Sequence, residues 1–373
     1  MIRILHIVGR MNRGGAETLL MNLYRHIDRS QIQFDFGVHD DLPGDFDDEI
    51  RSLDGRIIQL PRPHFTALPA YTRVLSAVLR EEGPYVGVHS HVHSYSGYVL
   101  RTAGRVGIPL RLAHSHSTSD GKNGSVFRSA YRRTMRMQIH QWATHMLGCS
   151  PAACEALYGS DCWHDQRVQV LKNAIDLAQF AELTGEREEL RKELGLPAKG
   201  KLIGHVGRFD PPKNHRFLLE VFAALLKKLP DAQLVLVGDG RLRPEIEQQV
   251  LRHGFGDQVT MLGVRSDVPR ILSALDLFLF PSLYEGLGIA LIEAQAAGIP
   301  SLVSTSITRV ADVGLGLVHY LSLEEPIDSW VQRLLMLHSI PGQQWSARKK
   351  ALETAGYDIR QVSRVLQEIY CHG

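Results

Sequence analysis

Short apolar runs alternate with longer amphipathic stretches along the whole chain. In the first half the runs Ile2–Val8, Ile32–Val38, Ile57–Leu60, Val86–Ser90, Leu110–Ala113 and His145–Cys149 are nearly continuous in apolar character, the signature of strands buried on both faces. Helical spacing fills the gaps, most clearly over Ala16–His26, Leu68–Glu82 and Val126–Trp142. The segment Val168–Phe180, with Asn173 and Asp176, reads as a crossing between domains. A charged helix, Glu186–Leu194, and a loop over Gly195–Gly200 follow, and then the pattern restarts. Strands are expected at Leu202–Val206, Gln233–Val237, Val259–Leu262, Leu277–Phe280 and Ser301–Val303, with helices such as Asn214–Lys228, Arg243–His253 and Ile289–Ala297 between them. The tail Ile359–Tyr370 is one more helix. Two such series predict an α/β protein of two doubly wound parallel sheets facing a cleft. The expected division is residues 1–172, residues 173–355, and a C-terminal helix within 356–373 that packs back near the first domain.

Composition narrows the class. A chain of 373 residues suits two domains of ordinary size, and 44% hydrophobic with 22% charged residues is globular usage. A formal net charge of +2 gives no global case for nucleic acid. Cys149, Cys154, Cys162 and Cys371 show neither paired spacing nor disulfide-scaffold density, so a reducing, cytoplasmic setting is expected. The first apolar run is broken by Arg3 and His6 and is too short for a signal segment, and no run approaches a membrane span.

Four loops fall at the carboxyl ends of predicted strands, where doubly wound sheets bind ligands. They contain Gly14-Gly15-Ala16-Glu17, His114-Ser115-His116, Gly207-Arg208-Phe-Asp-Pro-Pro-Lys213-Asn214, and Glu285-Gly-Leu-Gly-Ile-Ala-Leu-Ile-Glu293. In the last, Gly286 and Gly288 sit in the turn that starts a helix, where free N–H groups and the positive dipole end favour a phosphate. The cations Arg208 and Lys213 suit a diphosphate and could neutralise charge on a departing phosphate. His114 and His116 alternate at a strand end, so only one is expected to point into the cleft.

These motifs, with Leu236-Val-Gly-Asp-Gly240 and Glu293, resemble those of the family 4, group 1 glycosyltransferases of the GT-B fold, two Rossmann-like domains. The likeness covers almost the whole chain and is nearest to bacterial enzymes of exopolysaccharide or capsule assembly. It implies retaining transfer of a sugar from a nucleotide diphosphate donor, expected to be a UDP-sugar, to a glycan or lipid-linked saccharide. It also implies no metal or other cofactor, since Arg208 and Lys213 do a cation's work. By the same resemblance Glu285 contacts donor-sugar hydroxyls, the backbone of Gly286, Leu287 and Gly288 lies near sugar and phosphate, and Glu293 accepts from the ribose. Gly14, Gly15 and Gly238 fall in donor-side turns, Val264 and Arg265 frame the base, and His114 is the first domain's histidine on the reacting face. Ala174 stands where the family usually has glycine, which questions the local turn. Other readings of the same set are a GT-B sugar-nucleotide 2-epimerase and a silent nucleotide-sugar-binding partner.

Some signals are set aside. His89, His91 and His93 share a face if extended, but without an acidic or cysteine partner nearby they suggest an acceptor-side lining, with His91 and His116 as candidates, more than a metal site. Asp45-Phe-Asp47 matches the DxD of metal-dependent transferases yet sits in an acidic run expected to be solvated. Gly195–Lys201 nearly spells a phosphate loop but precedes its strand. Arg128, Arg132, Arg133 and Arg136 on the helix Val126–Trp142 could lie on an anionic membrane that carries a lipid-linked acceptor.

Overall fold

The computed structural model describes residues 1–64, 68–117, 126–181, 187–337 and 343–373, and its contacts divide into two compact units. Unit 1 comprises Met1–Ala174 with Ile359–Gly373; unit 2 is Ile175–Asp358. Unit 1 holds β1 (Ile2–Val8), β2 (Ile32–Val38), β3 (Ile57–Gln59), β4 (Gly87–Ser90), β5 (Leu110–Ser115), β6 (His145–Gly148) and β7 (Val168–Val170). All pair in parallel, in the order β3-β2-β1-β4-β5-β6-β7. Unit 2 holds β8 (Leu202–Val206), β9 (Gln233–Val237), β10 (Val259–Gly263), β11 (Leu277–Phe280), β12 (Ser301–Ser304) and β13 (Val318–Leu321). These too are parallel, ordered β10-β9-β8-β11-β12-β13. Two doubly wound, Rossmann-like sheets are the GT-B fold class.

Why the strands read as unbroken apolar runs is visible in the packing. Ile4 and Val8 of β1 enter one core while Leu5 and Ile7 enter another, so alternate residues feed helices on opposite faces. In unit 2, Ile203, Leu234 and Leu279 serve one core and Leu202, Val235 and Phe278 the other. The helix Ile359–His372 buries Ile359, Val362, Leu366 and Tyr370 in the same core as Ile4 and Leu110.

Two strands escape the sequence pattern. Val168–Val170, read as part of a crossing segment, pairs with β6 as the edge of the first sheet, and Val318–Leu321 extends the second beyond β12. Both are edge strands, buried on fewer sides, and too short to carry a periodic signal. The helix expected from Glu186 is described over Arg187–Glu193, Glu186 itself lying outside the described residues. Ala174 is no strain: among the described non-glycine residues only Asp54, His93 and Asn214 have positive φ.

Asp35 on β2 fixes the amino ends of this sheet. Its buried carboxylate accepts from Arg3 Nη1 at 2.7 Å, Arg56 Nη2 at 2.7 Å, Tyr85 Oη at 2.8 Å and the Arg56 backbone N–H at 3.1 Å. Burial alone would raise its pKa, but the hydrogen bonds from Arg56, Tyr85 and Arg3 win and hold the carboxyl below its ordinary range. A depressed folded pKa gives stability that is present above the unfolded value of about 4 and lost as pH falls below it. Asp35→Ala should therefore cost about 3 kcal/mol in urea denaturation at pH 7, because two guanidinium groups lose their common partner. Asp35→Asn should flatten the acid-side loss of stability; an unaltered acid limb would remove Asp35 from this role.

Candidate active site

A doubly wound sheet leaves a crevice where strand order reverses, since the loops on either side depart in opposite directions. In unit 2 the reversal falls between β8 and β11. The loops after these two strands carry Arg208, Lys213 and Glu285. They are laced together: Asn214 Nδ2 donates to the Pro281 carbonyl at 3.2 Å and the Leu283 N–H to the Pro212 carbonyl at 2.8 Å. Asn214 takes a left-handed conformation (φ 55°, ψ 44°) that turns the chain into the helix His215–Leu226.

At the centre Lys213 Nζ donates to Glu285 Oε1 at 2.6 Å, both side chains less than one-fifth exposed. The ammonium also lies 4.8 Å from the centroid of the Phe280 ring, a cation–π contact from below. Gly207 makes room for this: a Cβ there would lie 2.9 Å from Lys213 Cε. Beneath the pair, burial and then Lys213 itself push the pKa of His215 down to about 4, so a neutral ring faces the cation. Arg208 is 71% exposed and only loosely paired, its Nε 3.7 Å from Asp210 Oδ2.

Gly288 (φ 77°) is the N-cap of the helix Ile289–Ala297, and the adjacent Leu287 side chain is buried in the core, leaving its backbone as the polar group at that position. Glu293 follows one turn in. Among the described residues it has no hydrogen-bond or ion-pair partner, and burial pushes its pKa up to about 7. Gly238 adopts φ 133° after β9, where a Cβ would fall 2.1 Å from the Gly207 carbonyl oxygen. Val264 is 46% exposed beside β10, and Arg265 is gripped by Asp267 through Nε at 2.7 Å and Nη2 at 2.6 Å.

In unit 1 the reversal falls between β1 and β4. Gly14, after β1, is the N-cap of the helix Gly15–His26; Gly15 has open space where a side chain would be. Asp45 braces this loop by accepting the Arg13 N–H at 3.0 Å, while Asp47 accepts the Gly44 N–H at 3.0 Å. The DxD-like pair is thus bonded to backbone and not merely solvated as expected. After β4, His91 bonds through Nε2 to His6 Nδ1 at 3.1 Å and through Nδ1 to His116 Nε2 at 2.8 Å. The rings of His114 and His116 are 4.1 Å apart. The expectation that only one of them points inward is wrong, because residues two apart on a strand share a face. The supposed common face of His89, His91 and His93 also fails: β4 ends at Ser90, and His93 (φ 49°) turns into a short 3-10 helix. Burial, then His116, His91 and His6, drive the His114 pKa well below the ordinary value, so its ring is neutral. Arg136 is not available to a membrane, since its Nε donates to the Leu157 carbonyl at 3.1 Å.

Sequence reasoning missed His6, Asn214 and Phe280. A histidine inside an otherwise apolar parallel strand was a usable signal for the first; an asparagine just before a helix was one for the second. The ring under Lys213 needed the fold.

Residues 14–174 match the family described as Glycosyl transferase 4-like domain, and residues 186–314 match Glycosyl transferases group 1. The chain is 38% identical over 369 residues to EpsF of Bacillus subtilis (strain 168), which bears a provisional glycosyltransferase name; the match spans 99% of this chain and 96% of EpsF. It is 30% identical over 242 residues, 62% of this chain and 60% of the relative, to the UDP-Gal:alpha-D-GlcNAc-diphosphoundecaprenol alpha-1,3-galactosyltransferase of Escherichia coli. Its fold is similar to that of Anabaena HepE, solved in complex with UDP and glucose, with a TM-score of 0.76 and 19% identity over 99% of each chain.

Glu293 makes a pH prediction. A folded pKa raised to about 7 means that ionising Glu293 above neutrality opposes folding, whereas below the unfolded pKa of about 4 the group is neutral in both states. Glu293→Gln should melt above the native protein at pH 8, with the gap closing towards pH 5. Parallel melting curves across that range would show the carboxyl to be well solvated.

Proposed function

Because the chain belongs to the group 1 glycosyltransferases of family 4, we propose that it moves a sugar from a UDP-sugar to a glycan or lipid-linked saccharide, as a step in surface polysaccharide synthesis. The observation that carries this reading is the Lys213–Glu285 pair at the strand-order reversal of unit 2, beside a glycine-led helix start. A lysine held by a carboxylate and an aromatic face is a fixed positive charge. The helix start adds N–H donors, and Arg208 is exposed enough to swing onto an arriving diphosphate. The E. coli relative's own donor and acceptor, a UDP-sugar and a diphosphoundecaprenol-linked sugar, support the choice of substrates.

In this reading Glu285 both orients Lys213 and accepts from donor-sugar hydroxyls. Glu293, as carboxylate, takes the ribose hydroxyls its environment leaves it free to accept. Gly238, Val264, Arg265 and the Gly286–Gly288 backbone surround the nucleotide, with Gly14 and Gly15 as the donor-side candidates of unit 1. Transfer proceeds with retention: the bond from the anomeric carbon to the phosphate oxygen breaks, the acceptor oxygen bonds to the same face, and its proton passes to the leaving phosphate. A double displacement needs two carboxyls about 5 Å apart, one of them free to attack, and Glu285 is already committed to Lys213. In unit 1, His114, neutral and buried, is the candidate catalytic histidine, and His91 and His116 are the acceptor-side candidates. Arg128, Arg132 and Arg133, with the exposed Phe127, form the face by which the protein would meet a membrane carrying the acceptor. No helix among the described residues is long and apolar enough to cross one.

Lys213→Ala and Arg208→Ala should each lower turnover roughly 100- to 1000-fold at saturating donor, the magnitude expected for loss of a charge that acts in the transition state. Glu293→Gln should weaken UDP binding in calorimetry while Glu285→Gln spares it and depresses transfer. The reverse order of the two glutamates would overturn the assignment.

Since Arg208 and Lys213 supply the positive charge, turnover should survive EDTA. Loss on chelation with rescue by Mn²⁺ would require a metal in the donor site and remove those two residues from their proposed role.

A further inference from the structure

Five imidazoles meet at the carboxyl end of the unit 1 sheet, more than sugar transfer has use for. His6 comes from β1, His89 and His91 from β4 and the loop beyond it, and His114 and His116 from β5 and its end. The His89 and His91 rings are 4.2 Å apart, and those of His91 and His116 are 5.1 Å apart. Burying polar rings this densely is unfavourable unless each nitrogen finds a partner. Several are poorly met: neither nitrogen of His114, which is 1% exposed, makes a well-formed hydrogen bond, with only the Leu171 backbone near it, and Nδ1 of His116 has no well-formed partner, the Asn173 side chain being the nearby polar group.

We infer that His91, His114 and His116 form a binding site for a divalent transition ion of the zinc class, and that its occupancy blocks sugar transfer. One nitrogen from each ring lies within 4.8 Å of the others. His91 Nδ1 and His116 Nε2 stand 2.8 Å apart across a shared proton. Two nitrogens bound to a tetrahedral zinc at 2.0–2.1 Å lie about 3.3 Å apart, so an ion can replace that proton with a widening of about half an ångström. His91 then keeps its other nitrogen, Nε2, bonded to His6 at 3.1 Å, the outer hydrogen bond by which ligating histidines are oriented. His114 supplies the third nitrogen without giving up any well-formed hydrogen bond, its only near partner being the Leu171 backbone. Three imidazoles and no carboxylate favour Zn²⁺, Co²⁺, Ni²⁺ or Cu²⁺ over Mg²⁺, and leave a fourth position open.

A second triad, His6, His89 and His91, shares one member with the first. It is the poorer site: His6 and His89 are fully enclosed, and His89 Nδ1 is engaged by the Tyr370 hydroxyl at 2.7 Å. His91 and His116 are only half-buried, which gives the outer triad a route of entry. Such an ion is an inhibitor and not a cofactor, because it consumes the ring of His114. Donor binding in unit 2 keeps all its own groups.

Co²⁺ titration of the full-length chain tests this without any assay of transfer. One equivalent of Co²⁺ should give the visible absorption of a tetrahedral site, and Zn²⁺ should displace it. His116→Ala, which removes a ligand, should abolish the band at one equivalent, whereas His6→Ala, which removes an outer partner, should keep the band at an affinity roughly 10- to 100-fold lower. If His116→Ala does not fold by circular dichroism, His116→Gln and His91→Gln are the second variants. No band at one equivalent, a band indifferent to loss of His116 and His91, or a band lost only with His6 would each overturn the site. Zn²⁺ should also suppress turnover reversibly to EDTA, leave UDP affinity within about twofold and be unmatched by Mg²⁺. Zinc bound at full turnover would overturn the inhibitory role; if no turnover is seen under any condition, the Co²⁺ result still decides the site while the transferase reading fails separately.

Discussion

The reversal of strand order is the constraint from which the rest follows. Strands added outward on both sides of β8 and β11, or of β1 and β4, send their connections away from each other, so the ends of those central strands stay uncovered. Backbone there must turn sharply without a roof of helix. Asn214 in a left-handed conformation, Gly238 at φ 133° and Gly288 at φ 77° are the turns that result. Lys213 adjoins the first of these turns and Glu285 lies three residues before the last.

Charge is distributed with the same logic. Asp35 gathers Arg3 and Arg56 at the amino ends of the first sheet, where burial without a compensating guanidinium would neutralise the carboxyl. Lys213 and Glu285 form their pair at a carboxyl end, where a ligand can reach it. Asp35 is closed in by five hydrogen-bond donors and holds strands; Lys213 and Glu285 hold each other close to a glycine-led helix start. Glu293 goes further, with an environment that disfavours its ionised form until something donates to it.

The histidines of unit 1 obey the opposite economy. His6, His89 and His114 are buried and each kept neutral mainly by burial; His6 is linked through a ring nitrogen to His91 and His89 to Tyr370. An imidazole chain of this kind has several protonation patterns of similar energy, because either partner of each nitrogen pair can be the donor. A divalent ion of the zinc class would exploit the same freedom.

Strand and helix positions were legible from the chain because both faces of each sheet are covered, which makes the central strands continuous apolar runs such as Ile2–Val8 and Leu277–Phe280. The edge strands Val168–Val170 and Val318–Leu321 were not, since an edge imposes weaker burial. The candidate residues of unit 2 stood out for a related reason: glycine at Gly286 and Gly288 and cations at Arg208 and Lys213 fall in loops after predicted strands, where a helix start suits an anion, and Glu285 and Glu293 frame that helix start. Pairing was another matter. That Lys213 meets Glu285 over Phe280, or that His6 reaches His91 and His91 reaches His116, depends on strand order, and a linear pattern of burial is the same for every order of parallel strands. The sequence by itself determined which residues would be inside and which glycines, cations and carboxyls would stand near the strand ends. Only the tertiary structure decided which of them touch, because neighbours in a parallel sheet are separated by whole crossovers of chain.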